Sequence, residues 1–260
     1  MRLQKALKDS YDLTFASDWS DLDHLIRRVA TEAIIVDPVR KEDIEVAAVE
    51  RLRAYYPSLP VVLYMPFGPE LADALLRLGN VGVHRAVFFD HGDTEKELKR
   101  AVEEAMESSV PERILARIVE GFEAHFDGME VEFREVKVAI RVALRNVDTI
   151  RSALEWSRYL GLPHRSFYRT FRSLGLPTPK TCLLWLRLMY AAKLLEDPGY
   201  SPYDVVHRLG YSAPSNFWQH VQDTLGLRAA ELRYAATFET LLRRFLADQV
   251  QARGTRRASG

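Results

Sequence analysis

A single cysteine in 260 residues, Cys182, excludes an intramolecular disulfide and any cluster of cysteine ligands. Beside Leu183 and Leu184, it reads as a small buried residue on a helix. No run reaches the roughly 18 uninterrupted apolar residues of a membrane-crossing helix, and the first nine residues, interrupted by Arg2, Lys5, Lys8 and Asp9, lack an apolar export segment. The expectation is a soluble cytoplasmic protein, nucleoid-associated if it binds DNA. There is no Gly-rich phosphate loop and no Ser/His/Asp set, and His164, His207 and His220 lack ligand spacing. These absences predict no enzymatic activity, no cofactor and no metal site.

Net charge is missing too, since 36 Lys and Arg balance 36 Asp and Glu. That balance hides an asymmetry. Residues 1–110 hold 14 basic against 20 acidic side chains, leaving 22 against 16 for residues 111–260, so the halves carry −6 and +6. The length and the 47% apolar content suffice for two buried cores. A modular chain follows, with the carboxy-terminal half suited to phosphates.

Short apolar runs over Asp12 to Ala16, Ala33 to Val36, Pro60 to Met65 and Ala86 to Phe89 are candidate strands. Amphipathic runs over Asp21 to Val29, Lys41 to Tyr56, Pro69 to Leu78 and Thr94 to Met106 separate them as helices. The alternation predicts a parallel sheet with packed helices over 1–110. From Pro111 an amphipathic run with apolar residues at 114, 115, 118, 119 and 122 predicts a connector helix or a dimer seam over 111–133, broken at Asp127-Gly128.

Between Ser152 and Arg233 one pattern occurs twice: a helical run ending in Leu-Gly, a brief turn, then a second helical run ending in Leu-Gly-Leu. Two helices joined by a tight Gly-containing turn describe a helix-turn-helix. In the first copy Asp148 is placed to cap the leading helix, and Gly161 gives the turn its freedom. Phe167, Phe171 and Leu174 then form the inward stripe, leaving Arg165, Tyr168, Arg169 and Arg172 together on another face. Arginine forks onto guanine or holds phosphate, and tyrosine bonds phosphate or packs on a thymine methyl. On a lone helix such a face would merely be solvated; within a repeat it suits a major groove.

The second copy opens with Ser201-Pro202-Tyr203-Asp204, a capping-box variant. Val205, Val206 and Leu209 face inward, Gly210 ends the helix, and Ser212 is placed to cap the next one. There Phe217, Val221 and Leu225 point inward while Ser215, Asn216, Gln219 and Gln222 are the polar candidates. Trp218, at the position of Tyr168, either packs on DNA or covers the core. A helix over Thr181 to Asp197 joins the copies, about 25 Å long, as a strut between two reading heads.

Two resemblances add to this reading. Ala33-Ile-Ile-Val-Asp-Pro38, with the runs that follow it to Gly82, resembles the later part of a response-regulator receiver domain. It implies a flavodoxin-like α/β fold with Asp37 as the phosphoacceptor position. The rest of such a site is poorly represented: the fourth strand ends Leu63-Tyr64-Met65 and the fifth ends Phe88-Phe89-Asp90 with no Lys, although Asp18 or Asp21 would stand in for the acidic pair if Asp12 to Ala16 takes the place of the first strand. An Asp that merely closes a strand and caps a turn is the favoured reading.

The segment from Leu160 through Phe171, with Leu174-Gly-Leu-Pro-Thr-Pro179, Trp185-Leu-Arg-Leu188, Ala191-Ala-Lys-Leu-Leu195, Val205-Val-His-Arg-Leu-Gly-Tyr-Ser212, Asn216-Phe217 and Leu225-Gly226, resembles the DNA-binding domain of the AraC/XylS transcription regulators over about 134–236. It implies groove contacts by Arg165, Tyr168, Arg169 and Arg172 and, in the second groove, by Ser215, Asn216 and Gln219. Pro163, Gln219 and Val221 depart from that family's usual Ser, Arg and Phe.

The expected architecture is therefore a receiver-like α/β domain over 1–110, a connector over 111–133, an all-α double helix-turn-helix over 134–236, and a helix with a basic tail over 237–260. The expected partners are double-stranded DNA, a second copy of the chain, and RNA polymerase or another regulatory protein, with no membrane. Two alternatives stand beside sequence-specific regulation: a phosphorylatable response regulator using Asp37, and an interaction adaptor with only nonspecific DNA binding.

Overall fold

The computed structural model describes residues 2–40, 43–83, 85–89, 91–126, 129–228 and 231–247. The chain divides into two compact units, residues 1–110 with 197–199, and residues 111–196 with 200–260. Asp90, the Asp127-Gly128 break and the basic tail from Arg253 lie outside the described residues.

The first unit runs α1 (Arg2–Leu7), α2 (Trp19–Arg28), β1 (Ile34–Val36), β2 (Val39–Arg40), β3 (Asp43–Ile44), α3 (Val46–Tyr55), β4 (Val61–Met65), α4 (Ala72–Asn80), β5 (Arg85–Phe88) and α5 (Glu95–Met106). β1, β4 and β5 make a parallel sheet in chain order, with Ile34 beside Val61 and Val62 beside Arg85; β2 and β3 form an antiparallel ribbon. Strand side chains alternate between faces. Val62 and Val87 thus meet Ala6 and Leu7 of α1 and Leu98, Ala101, Val102 and Ala105 of α5 in one core cluster.

Asp12 to Ala16 is not a strand; it is irregular chain between α1 and α2. Leu13 packs on the cluster while Phe15 is 53% exposed, so the short apolar run that resembled a strand holds one anchored side chain and one solvated ring. The helix expected from Lys41 starts at Val46, and the β2–β3 ribbon precedes it.

Asp18 and Asp21 serve the start of α2. Asp18 accepts from the N–H groups of Ser20 and Asp21, and Asp21 accepts from the Ser17 N–H at 2.8 Å. Asp37 is exposed after β1, where Oδ1 accepts the Val39 N–H at 3.0 Å, an Asx turn.

The second unit comprises α6 (Val110–Phe122), α7 (Glu130–Arg145), α8 (Ala153–Tyr159), α9 (His164–Ser173), α10 (Pro179–Leu195), α11 (Pro202–Arg208), α12 (Pro214–Leu225), α13 (Leu232–Ala235) and α14 (Phe238–Phe245). Met129 is the N-cap of α7, and Glu130 to Phe133 form its first turn. α7, α8, α9, α11, α13 and α14 all pack on α10, which buries side chains around its whole circumference from Leu183 to Leu195. A helix apolar on every side belongs inside a core. α10 is therefore the central helix of this unit.

The apolar face of α6 is covered within the same unit. Ile114, Leu115, Ile118 and Phe122 are buried, the Phe122 ring lies 6.1 Å from that of Phe245, and Arg117 forks onto Glu239 at 3.0 and 2.9 Å. A side chain at Gly121 would come within 2.4 Å of Leu246, so glycine lets these helices approach.

Both leading helices begin with reciprocal caps. Ser152 accepts from the Glu155 N–H and Glu155 accepts from that of Ser152; Ser201 and Asp204 repeat the exchange. Asp148 does not cap α8, because the chain makes a further turn before Ser152. Ser201→Ala is expected to lower stability by about 1 kcal/mol in urea denaturation, the usual loss for removing such a cap.

Candidate nucleic-acid interface

α9 separates its side chains as its period requires. Phe167, Phe171 and Leu174 are buried, with both phenyl rings meeting the Trp156 indole edge-on at 5.1 and 5.5 Å. The indole N–H donates to the Ala139 carbonyl at 2.9 Å, fixing α8 to α7. Arg165, Arg169 and Arg172 are exposed and Tyr168 is half-buried, its ring 4.8 Å from that of His164. None of these three arginines has an ion-pair or hydrogen-bond partner among the described residues. Three guanidinium groups on one solvated helix face, free of internal carboxylates, form a surface that attracts phosphates.

α12 is arranged alike but charged differently. Phe217, Val221 and Leu225 are buried, and Ser215, Asn216, Gln219 and Gln222 are exposed. The N-cap is Ala213 with no side-chain bond; Ser212 instead accepts from Asn216 at 3.2 Å. Pro214 at the first helical position has no N–H, which leaves one donor fewer unsatisfied at this end. Trp218 is half-buried with its ring edge-on to Phe217 at 4.8 Å, so it covers the core while leaving part of the indole in solvent. Gln219 donates to Asp223 at 2.7 Å.

Arg187 on α10, passed over in the sequence, joins the two motifs. Only 4% exposed, its guanidinium donates to the carbonyls of Val147 and Ile150, before α8, and of Leu209, at the end of α11. It also lies 4.4 Å from the centre of the Tyr211 ring. These carbonyls stand at helix ends and turns, where no intrahelical donor satisfies them. The same turns touch directly, since a side chain on Gly210, held at φ 65°, would meet the Asp148 carbonyl oxygen at 2.1 Å. His220 completes the junction. Partial desolvation first, and then the Arg187 charge, lower the pKa of its imidazole, whose Nδ1 lies 3.1 Å from the Tyr211 hydroxyl. The clue in sequence was an arginine at an inward position of an apolar helix.

Among the described residues no group of His, Cys, Asp or Glu is arranged to hold a metal ion, and no helix is long and apolar enough to cross a membrane. Cys182 is buried, and burial alone pushes its thiol pKa up to about 12.

Residues 156–235 match a family model described as a helix-turn-helix domain. That span begins within α8 and takes in α9, α10, α11 and α12, the helices that carry the repeated pattern. No curated protein and no solved structure matches the chain significantly.

Proposed function

We propose that the chain is a sequence-specific transcription regulator of the AraC/XylS type, binding double-stranded DNA through α9 in one major groove and α12 in the next. The observation that carries this reading is the free arginine face of α9 within the matched domain. Arg165, Arg169 and Arg172 supply phosphate attraction and guanine contacts, Tyr168 packs beside them, and Ser215, Asn216, Trp218 and Gln219 make the weaker second contact.

Arg169→Ala is expected to weaken binding to a duplex selected from a random pool by about ten-fold. The triple replacement of Arg165, Arg169 and Arg172 should reduce the slope of log affinity against log salt by two to three units, about 0.9 per lost phosphate contact. Fluorescence anisotropy across a salt series measures both. Affinity indifferent to these substitutions and to salt would remove the proposal.

To the first unit we assign contact with a second copy of the chain or with a regulatory protein such as RNA polymerase, without phosphorylation. Supporting this reading, Asp37 is engaged in its own turn, and Asp18 and Asp21 are engaged at the α2 terminus. An aspartyl-phosphate adduct formed by acetyl phosphate with magnesium and lost in Asp37→Asn would reverse it, and sedimentation tests self-association.

A further inference from the structure

The internal repeat allows α9 and α12 to be compared position by position. Phe217 occupies the buried place of Phe167, so Arg165, Arg169 and Arg172 correspond to Ser215, Gln219 and Gln222, and Ser173 corresponds to Asp223. All four α12 side chains are exposed on the helix. Where α9 presents three cations, α12 presents no cation at these positions and one carboxylate.

Asp223 acts in two ways. Its charge repels phosphate, an effect worth about a five-fold change in affinity for unit charges a few ångströms apart in water. Its Oδ1 also accepts the Gln219 amide at 2.7 Å, which turns the donor needed for a base edge or a phosphate back onto the helix.

We propose that Asp223 is a specificity determinant that weakens the second reading head, so that α9 selects the site and α12 accepts many sequences. This rests on the DNA-binding reading above and adds to it a residue that opposes binding. It makes the unusual demand that removing a side chain strengthens the complex.

The test uses the full chain and a duplex selected by the wild type. Asp223→Asn keeps an acceptor for Gln219 and deletes only the charge; it is expected to bind about five-fold more tightly. Asp223→Lys should bind more tightly still and steepen the salt slope by about one unit, with new hydroxyl-radical protection in the second major groove. Arg169→Ala, measured alongside, moves affinity the other way.

Unchanged or weaker binding by both Asp223 variants, with wild-type circular dichroism and melting and with Arg169→Ala still harmful, overturns this inference alone. A wild type that binds no DNA, with Arg169→Ala equally silent, overturns the functional reading and this inference together.

Discussion

Arg187→Ala is expected to destabilise the second unit by about 3–5 kcal/mol, the low end of the loss from leaving three buried carbonyls without a donor. The guanidinium bonds three backbone carbonyls and faces the Tyr211 ring, and alanine fills none of that volume. Each buried carbonyl left without a donor costs about 1–3 kcal/mol. Arg187→Lys should recover only part of the loss, because an ammonium is a point donor and cannot fork across carbonyls from three turns. Urea denaturation of the two variants gives the comparison. A loss below about 1 kcal/mol for alanine would show that hydrophobic packing around α10 holds the junction without the guanidinium.

Gly210→Ala attacks the same junction from the backbone side. Its φ of 65° costs a non-glycine residue about 1–2 kcal/mol, and a Cβ 2.1 Å from the Asp148 oxygen adds about 1–3 kcal/mol of overpacking against atoms that have no rotamer to change. Gly161 supplies an internal control. It has the same φ of 65° at the corresponding turn of the first motif, and no atom lies within 4 Å of the place a Cβ would take. Gly161→Ala should therefore cost only the backbone part. A gap of about 2 kcal/mol between the two alanines is expected in thermal or urea unfolding, from the overpacking alone; equal losses would mean that the Asp148 contact relaxes freely.

The inward stripes of α9, α11 and α12 were legible because a buried helix face repeats every three to four residues whatever it packs against. The Ser201 cap was legible because its partner Asp204 lies three residues away. The α8 cap was not: Asp148 and Ser152 are both acceptable caps, and the choice depends on where the preceding turn ends. The short apolar run over Asp12 to Ala16 suggested a strand because apolar residues are necessary for a buried strand but not sufficient. A strand also needs a neighbour to bond, and here α1 and the irregular segment cover that part of the core.

By itself the sequence determined the repeat, the polarity of each helix face, and the concentration of positive charge beside the first reading helix, since these follow from local spacing and composition. Only the tertiary structure decided that α10 is enclosed on all sides, that Arg187 points inward to carbonyls while Arg165, Arg169 and Arg172 remain free, and that Gly210 touches Asp148. The physical reason is that an arginine's role depends on whether its nearest acceptor is water or a turn distant in sequence, and residue spacing carries no record of that distance.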